Sequence, residues 1–231
     1  MELPQTVAAR FLRRENRFRV AVELEGREVA AHLPNSGRLG ELLTPGKPCY
    51  LVERSGGHRK TDYDLLLISH AGVLVSVDAR LPNPLFAEAV AREKLAPFAG
   101  APAVATEVHH GSSRLDFRLE YPTGPVWVET KSVTLVEEGR ALFPDAPTLR
   151  GQRHLKELLD LTEEGQRAAV VFVIQRADAR EFAPHAKADP AFAQTLARAH
   201  AAGVEVYAFR CAVNRRMVRI ETDVPVRLNL C

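Results

Sequence analysis

The sequence predicts a mixed α/β fold in two parts: a small OB-like β-barrel over residues 1–82, then an α/β sandwich over residues 83–231. Three observations predict it. Five short strands fall within the first part, the pattern breaks at Leu81-Pro82-Asn83-Pro84, and strands alternate with long helices beyond the break. In the first part, Phe18 to Leu24 alternates apolar and charged residues, Glu25-Gly26-Arg27 offers a turn, and Glu28 to Leu33 reads as the return strand. Cys49 to Val52, Asp64 to Ser69 and Val73 to Ala79 supply three more, with turns at Gly56-Gly57 and His70-Ala71-Gly72. This strand count and size suit an OB-like barrel. Asn83 reads as a helix N-cap and Pro84 as a first helical residue, opening a helix to Leu95. Strands follow at Val104–Val108, Leu115–Tyr121 and Val126–Val133. A helix spans Leu149–Glu164, an apolar strand Ala168–Ile174, a helix Pro190–Gly203 and a last strand Val204–Phe209.

Composition narrows the class. The chain is 46% hydrophobic and 26% charged over 231 residues, which is globular rather than disordered. A net charge of +2 selects no partner by itself. Cys49, Cys211 and Cys231 lie far apart with no CxxC pair, which argues against structural zinc and fits a reducing compartment. The start, Met-Glu-Leu-Pro, is not a signal peptide, and the longest apolar run, Ala168 to Ile174, is too short to span a bilayer. A cytoplasmic protein with no membrane partner is expected.

The segments Arg114–Tyr121 and Val126–Val133 carry the chemistry. Strand side chains alternate faces, so Glu129 and Lys131 share one. Tyr121-Pro122-Thr123-Gly124 suits a type I turn, and pairing Tyr121 with Gly124 sets Asp116 opposite Glu129, with Cβ atoms about 5 Å apart. Two such carboxylates repel unless a cation lies between them, and magnesium favours one or two carboxylates plus waters and phosphate. Lys131 beside them suits a phosphate or a reacting water. Charges on the solvent face of a hairpin would pair in the same way. Val126, Trp127, Val128 and Val133 make this strand central instead, which buries Glu129 and Lys131 and favours the cation.

An aspartate followed by a strand bearing Glu-x-Lys resembles the PD-(D/E)xK nuclease-like superfamily. His32-Leu-Pro-Asn-Ser-Gly-Arg38, Ser113-Arg-Leu-Asp-Phe117, Val128–Leu135 and Phe143–Leu155 resemble the motifs of the sugar fermentation stimulation protein A family across nearly the whole chain. The resemblance implies an N-terminal OB-like domain, a nuclease-like C-terminal domain, DNA binding and, from the family's name, a tie to regulation of sugar use. It matches Asp116, Glu129 and Lys131 to the acidic and lysine positions, and Glu88 to a helical glutamate that completes many such sites. Leu33 and Thr130 depart from the family's usual cysteine and valine.

Around this centre, Arg10, Arg13, Arg14, Arg17 and Arg19 form a candidate phosphate-contacting patch, with Glu15 the single acid among them. Asn35, Gly37 and Arg38 lie in a turn suited to close backbone approach and a guanidinium fork on phosphate. A helix opening at Thr148 or Arg150 bears Arg150, Gln152 and Lys156, with Gln152 expected to reach toward Lys131 and His154 expected at the surface. Asp145 is an outlying candidate ligand. Together these give a DNA-binding protein with a Mg2+ or Mn2+ site at Glu88, Asp116 and Glu129. The alternative is an active nuclease on DNA or RNA, with Asp116, Glu129 and Lys131 catalytic.

Overall fold

The computed structural model describes residues 1–54, 56, 59–101, 103–110 and 113–228; Gly57 of the predicted Gly56-Gly57 turn and Cys231 lie outside them. Six strands open the chain: β1 (Thr6–Asn16), β2 (Arg19–Leu24), β3 (Arg27–His32), β4 (Pro48–Glu53), β5 (Tyr63–His70) and β6 (Val73–Ser76). The order β3-β2-β1-β4-β5 is closed by a parallel β3–β5 contact at Ala31↔Tyr63 and His32↔Asp64, making a five-stranded barrel as expected, but with β1 in the ring and the expected Val73–Ala79 strand outside it as β6, paired to β5. Phe11, Val20, Val22, Leu51 and Leu65 fill it. β1 is an addition to the sequence reading. Its arginines point out while Ala9 and Phe11 point in, and register shifts between Phe11 and Arg13 and between Arg14 and Asn16 blur the alternation.

The second part begins with α1 (Pro82–Ala91). It starts earlier than predicted. Leu81 occupies the N-cap with no side-chain bond, because Asn83 lies inside the helix and its amide is engaged elsewhere. Then come β7 (Ala103–His110), β8 (Ser113–Glu120), β9 (Val126–Val133), β10 (Leu135–Glu137), β11 (Arg140–Phe143), α2 (Leu149–Glu163), β12 (Arg167–Ile174), β13 (Glu181–Pro184), α3 (Pro190–Ala201), β14 (Glu205–Asn214) and β15 (Met217–Asp223). The main sheet runs β15-β14-β12-β9-β8-β7, with β9, β12 and β14 parallel. Leu155, Leu158 and Leu161 of α2 and Phe192 and Leu196 of α3 pack on one face, against Trp127, Val170 and Phe172. Leu85, Phe86 and Val90 of α1 pack on the other, against Phe117, Val128 and Val171. A sheet with helices on both faces buries its central strands, here β12 and β9.

The two parts are stitched by polar groups. Gln175 donates from Nε2 to Asp78 O (3.0 Å) and Ser132 Oγ (2.8 Å) and accepts from Ser76 Oγ (3.0 Å). No helix is long and apolar enough to cross a membrane among the described residues.

Candidate functional site

The β8–β9 turn closes as the sequence predicts, with Gly124 N donating to Tyr121 O at 3.0 Å. Phe117 then pairs with Val128, and the β8–β9 ladder ends at that pair, one residue short of Asp116 and Glu129. Glu129 faces α2 and is 3% exposed, with Lys131 at 10%. Oε1 of Glu129 accepts from Lys131 Nζ and pairs with His154 Nδ1. Arg150 Nε donates to His154 Nε2 at 3.3 Å, which leaves Nδ1 to carry the ring proton toward Glu129. Burial alone would raise the Glu129 carboxyl. The Lys131 charge and the His154 hydrogen bond outweigh it and hold the group at about 2, so it is a carboxylate at neutral pH. Its second oxygen, Oε2, is buried with no hydrogen-bond partner among the described residues.

Asp116 is held differently. Its Oδ2 accepts from Thr130 N (2.8 Å) and Thr130 Oγ1 (3.0 Å), and its Oδ1 accepts from Asn83 Nδ2 (2.9 Å). Thr130 and Glu129 are neighbours on a strand and point to opposite faces. The expected pairing of Asp116 with Glu129 is not formed: the carboxylate of Asp116 is tied to Thr130 and Asn83 on the α1 side, while Glu129 faces α2. Glu88 departs further from expectation. It pairs with the Met1 ammonium (2.5 Å) and with Arg92 (2.7 Å), so its carboxylate neutralises charge at the far end of α1 instead of joining the cluster. No group of three or more His, Cys, Asp or Glu with metal-holding geometry occurs among the described residues.

Comparison with known proteins then places the chain. Residues 80–217 match the family model described as the sugar fermentation stimulation protein RE domain, and residues 12–77 match the SfsA N-terminal OB domain. The chain belongs to the sugar fermentation stimulation protein family. A homolog from Moorella thermoacetica is 51% identical over 99% of this chain and 100% of its own. One from Desulforamulus reducens is 45% identical over 98% and 94%. A solved structure described as Pyrococcus furiosus SfsA in complex with Ca2+ superposes with a TM-score of 0.91 at 36% identity, covering 98% of each chain.

The basic residues of this family member divide between surface and scaffold. Arg10, Arg17, Arg38, Arg150 and Lys156 are exposed. Arg13 is exposed as well, but it is paired with Glu28. Arg14 is not available to a phosphate. Its Nη1 donates to Gly37 O (2.7 Å) and Arg38 O (3.0 Å), and its Nη2 to Arg17 O (2.6 Å) and Asn35 O (3.2 Å). Asn35 is also turned inward, donating to Val77 O at 3.0 Å and accepting from Gly37 N at 2.8 Å. Gly37 serves close packing, since a Cβ there would meet Asp145 Oδ2 at 2.6 Å. Asp145 accepts from Leu39 N at 3.1 Å and so braces this loop. Gln152 bonds Asp189 at 3.1 and 3.2 Å, away from Lys131, because Asp189 caps α3 beside it.

The sequence reading places His154 at the surface, where the structure buries it at 2% exposure against Glu129, marks Asn83 only as a helix cap, and assigns Thr130 no part in the site. His154 lies on the stripe of Leu158 and Leu161, at four and seven residues, so helical spacing already pointed it inward.

Proposed function

We propose that the chain binds DNA and that Glu129, Lys131 and Asp116 form a divalent-metal site of phosphodiester-cleaving type. The buried, ionised Glu129 with an unpartnered Oε2 carries this reading, because a buried carboxylate oxygen without a donor is a costly vacancy that a hard cation fills. Mg2+ commonly takes only one or two carboxylates and completes its shell with water, so a cluster of three is not required. Asp116 Oδ1 accepts a single bond and keeps capacity for another. Glu129 Oε2 is therefore the oxygen offered to a cation, and Asp116, held toward α1, would join it only by turning from Thr130. The Ca2+ described for the Pyrococcus furiosus relative supports a cation of this hard class, Mg2+ and Mn2+ included.

A bound cation would supply positive charge to a phosphodiester and acidify a bound water. Lys131, held by Glu129, offers an ammonium to stabilise developing negative charge on the phosphate. His154 fixes Glu129 Oε1, which leaves Oε2 as the free ligand. Arg150 and Lys156, exposed on α2, and Arg10, Arg17 and Arg38, exposed on the barrel, are the cations proposed to meet the DNA backbone.

A second reading is DNA binding without cleavage, in control of genes for sugar use. The diversion of Glu88 to Met1 favours it, since one expected ligand is removed. The two separate in one experiment. Purified protein is incubated with single- and double-stranded DNA and RNA, with Mg2+, Mn2+ or chelator, beside Glu129→Gln and Lys131→Ala. The site reading expects metal-dependent cleavage that both variants abolish, with binding retained in chelator and weakening steeply with salt. Binding without cleavage or any metal-induced rise in Tm selects the second reading, and absence of binding overturns both.

A further inference from the structure

The turn between β1 and β2 leaves a large aromatic side chain in the open. Phe18 is 46% exposed, and its ring lies 6.4 Å from that of His32 at an interplanar angle of 34°. It is held in place from both sides. Asn16 Oδ1 accepts from Phe18 N at 3.0 Å, and Phe18 O accepts from Leu33 N at 2.9 Å. The ring is therefore presented on a fixed backbone, and binding to it costs little ordering entropy.

Phe18 and His32 line a cavity of about 360 Å³ with Asn16, Arg19, Arg59 and Lys60. No carboxylate lines it. Arg19 is paired with Glu15 and Arg59 with Asp64, but Arg17 and Lys60 form no ion pair among the described residues. The Arg17 guanidinium sits 5.4 Å from the centroid of the Phe18 ring. An exposed ring, the unpaired Lys60 on the pocket wall and the unpaired Arg17 beside the ring, with His32 held behind it by Asp64 and no carboxylate among the described lining residues, match one ligand chemistry: a flat heteroaromatic base attached to phosphates. In a duplex both faces of each base are already stacked, so only an unpaired base has a face to offer.

We propose that this pocket is a stacking site for an unpaired base of single-stranded DNA, with Arg17 and Lys60 on the adjoining phosphates. It rests on the reading that the chain binds DNA and adds the strand form and the residue that selects it. Stacking of bases on aromatic side chains is tolerant of sequence, so the site reads exposure of a base rather than its identity.

The test uses the full chain, Phe18→Ala and Phe18→Trp, with circular dichroism to verify folding. Ligands are an oligo(dT) strand, an abasic deoxyribose-phosphate strand of equal length, a duplex and the matching oligo(U) strand. Wild type should bind oligo(dT) more tightly than the abasic strand or the duplex. Phe18→Ala should weaken oligo(dT) binding at least about fivefold and leave the abasic strand unaffected. In Phe18→Trp, oligo(dT) should quench the new indole and the abasic strand should not. Salt-sensitive oligo(dT) binding that is equal in wild type and Phe18→Ala overturns the stacking site while leaving DNA binding intact. A preference for oligo(U) overturns the DNA assignment. Failure of wild type to bind any strand overturns both readings.

Discussion

Arg14 shows how a residue's role follows from its partners rather than its type. Its guanidinium satisfies five main-chain carbonyls of the 16–38 region, groups that would otherwise be short of donors. Arg14→Ala is expected to cost about 1–3 kcal/mol of stability, while Arg10→Ala, on an exposed side chain bonded only to Gly46 O, stays within about 0.5. Urea unfolding of the two variants measures this, and equal losses would contradict it. His154 is the corresponding case in the second domain. His154→Ala deprives the buried Glu129 of one of its two partners and is expected to cost about 1–3 kcal/mol in the same assay. The hairpin register that pairs Phe117 with Val128 was legible, because a Pro-x-Gly turn sets it. The direction of the Asp116 carboxylate was not, because Asn83 and Thr130 capture it and Asn83 lies 33 residues away.

At the scale of elements, the barrel's closure carries the strongest electrostatic signature. Asp64 of β5 sits where β3 and β5 meet, and His32, Arg54, Arg59 and Arg80 converge on it. Burial alone would raise its carboxyl; the hydrogen bonds and charges of Arg59 and Arg80 outweigh that and hold it below the ordinary value of 3.8. A carboxylate whose folded pKa is depressed stabilises the fold above its unfolded pKa, and that stability drains away as pH falls through the folded one. Thermal melts should therefore show the barrel losing stability below about pH 4. Asp64→Asn should flatten this acid-side slope and lower stability at pH 7 by about 1–3 kcal/mol, because the charge-assisted hydrogen bonds to Arg59 and Arg80 weaken while those partly exposed arginines stay solvated. An unchanged slope would remove Asp64 from the account. Elements with strong local patterns were legible in the sequence: the apolar run of β12 and the Pro-opened α3 were both read directly. β10, β11 and β13 are three- and four-residue strands whose pairing is tertiary, and they leave little local periodicity to read.

The whole molecule is two domains joined by specific contacts, and those contacts have no local signal. Ser76 and Gln175 meet across 99 residues and Leu39 and Asp145 across 106. Gly37 is the tightest point of the junction. Gly37→Ala places a methyl against Asp145 Oδ2, and overpacking of this kind costs about 1–3 kcal/mol. Calorimetry should show a lower Tm with the loss located at the junction; a variant as stable as wild type would mean that Asp145 yields freely. The first residues also reach across the molecule. Met1 N donates to Val218 O (2.9 Å), Val218 N to Met1 O (3.1 Å) and Leu3 N to Arg216 O (2.8 Å). Synthesis delivers residues 1–3 some two hundred residues before Val218, so the barrel strands can emerge and close before the β15 partner of that segment exists. That end is anchored only when β15 leaves the exit tunnel. A chain stalled before that point lacks the β15 partner of its leading segment, and a segment without such hydrogen bonds is a preferred site of proteolysis.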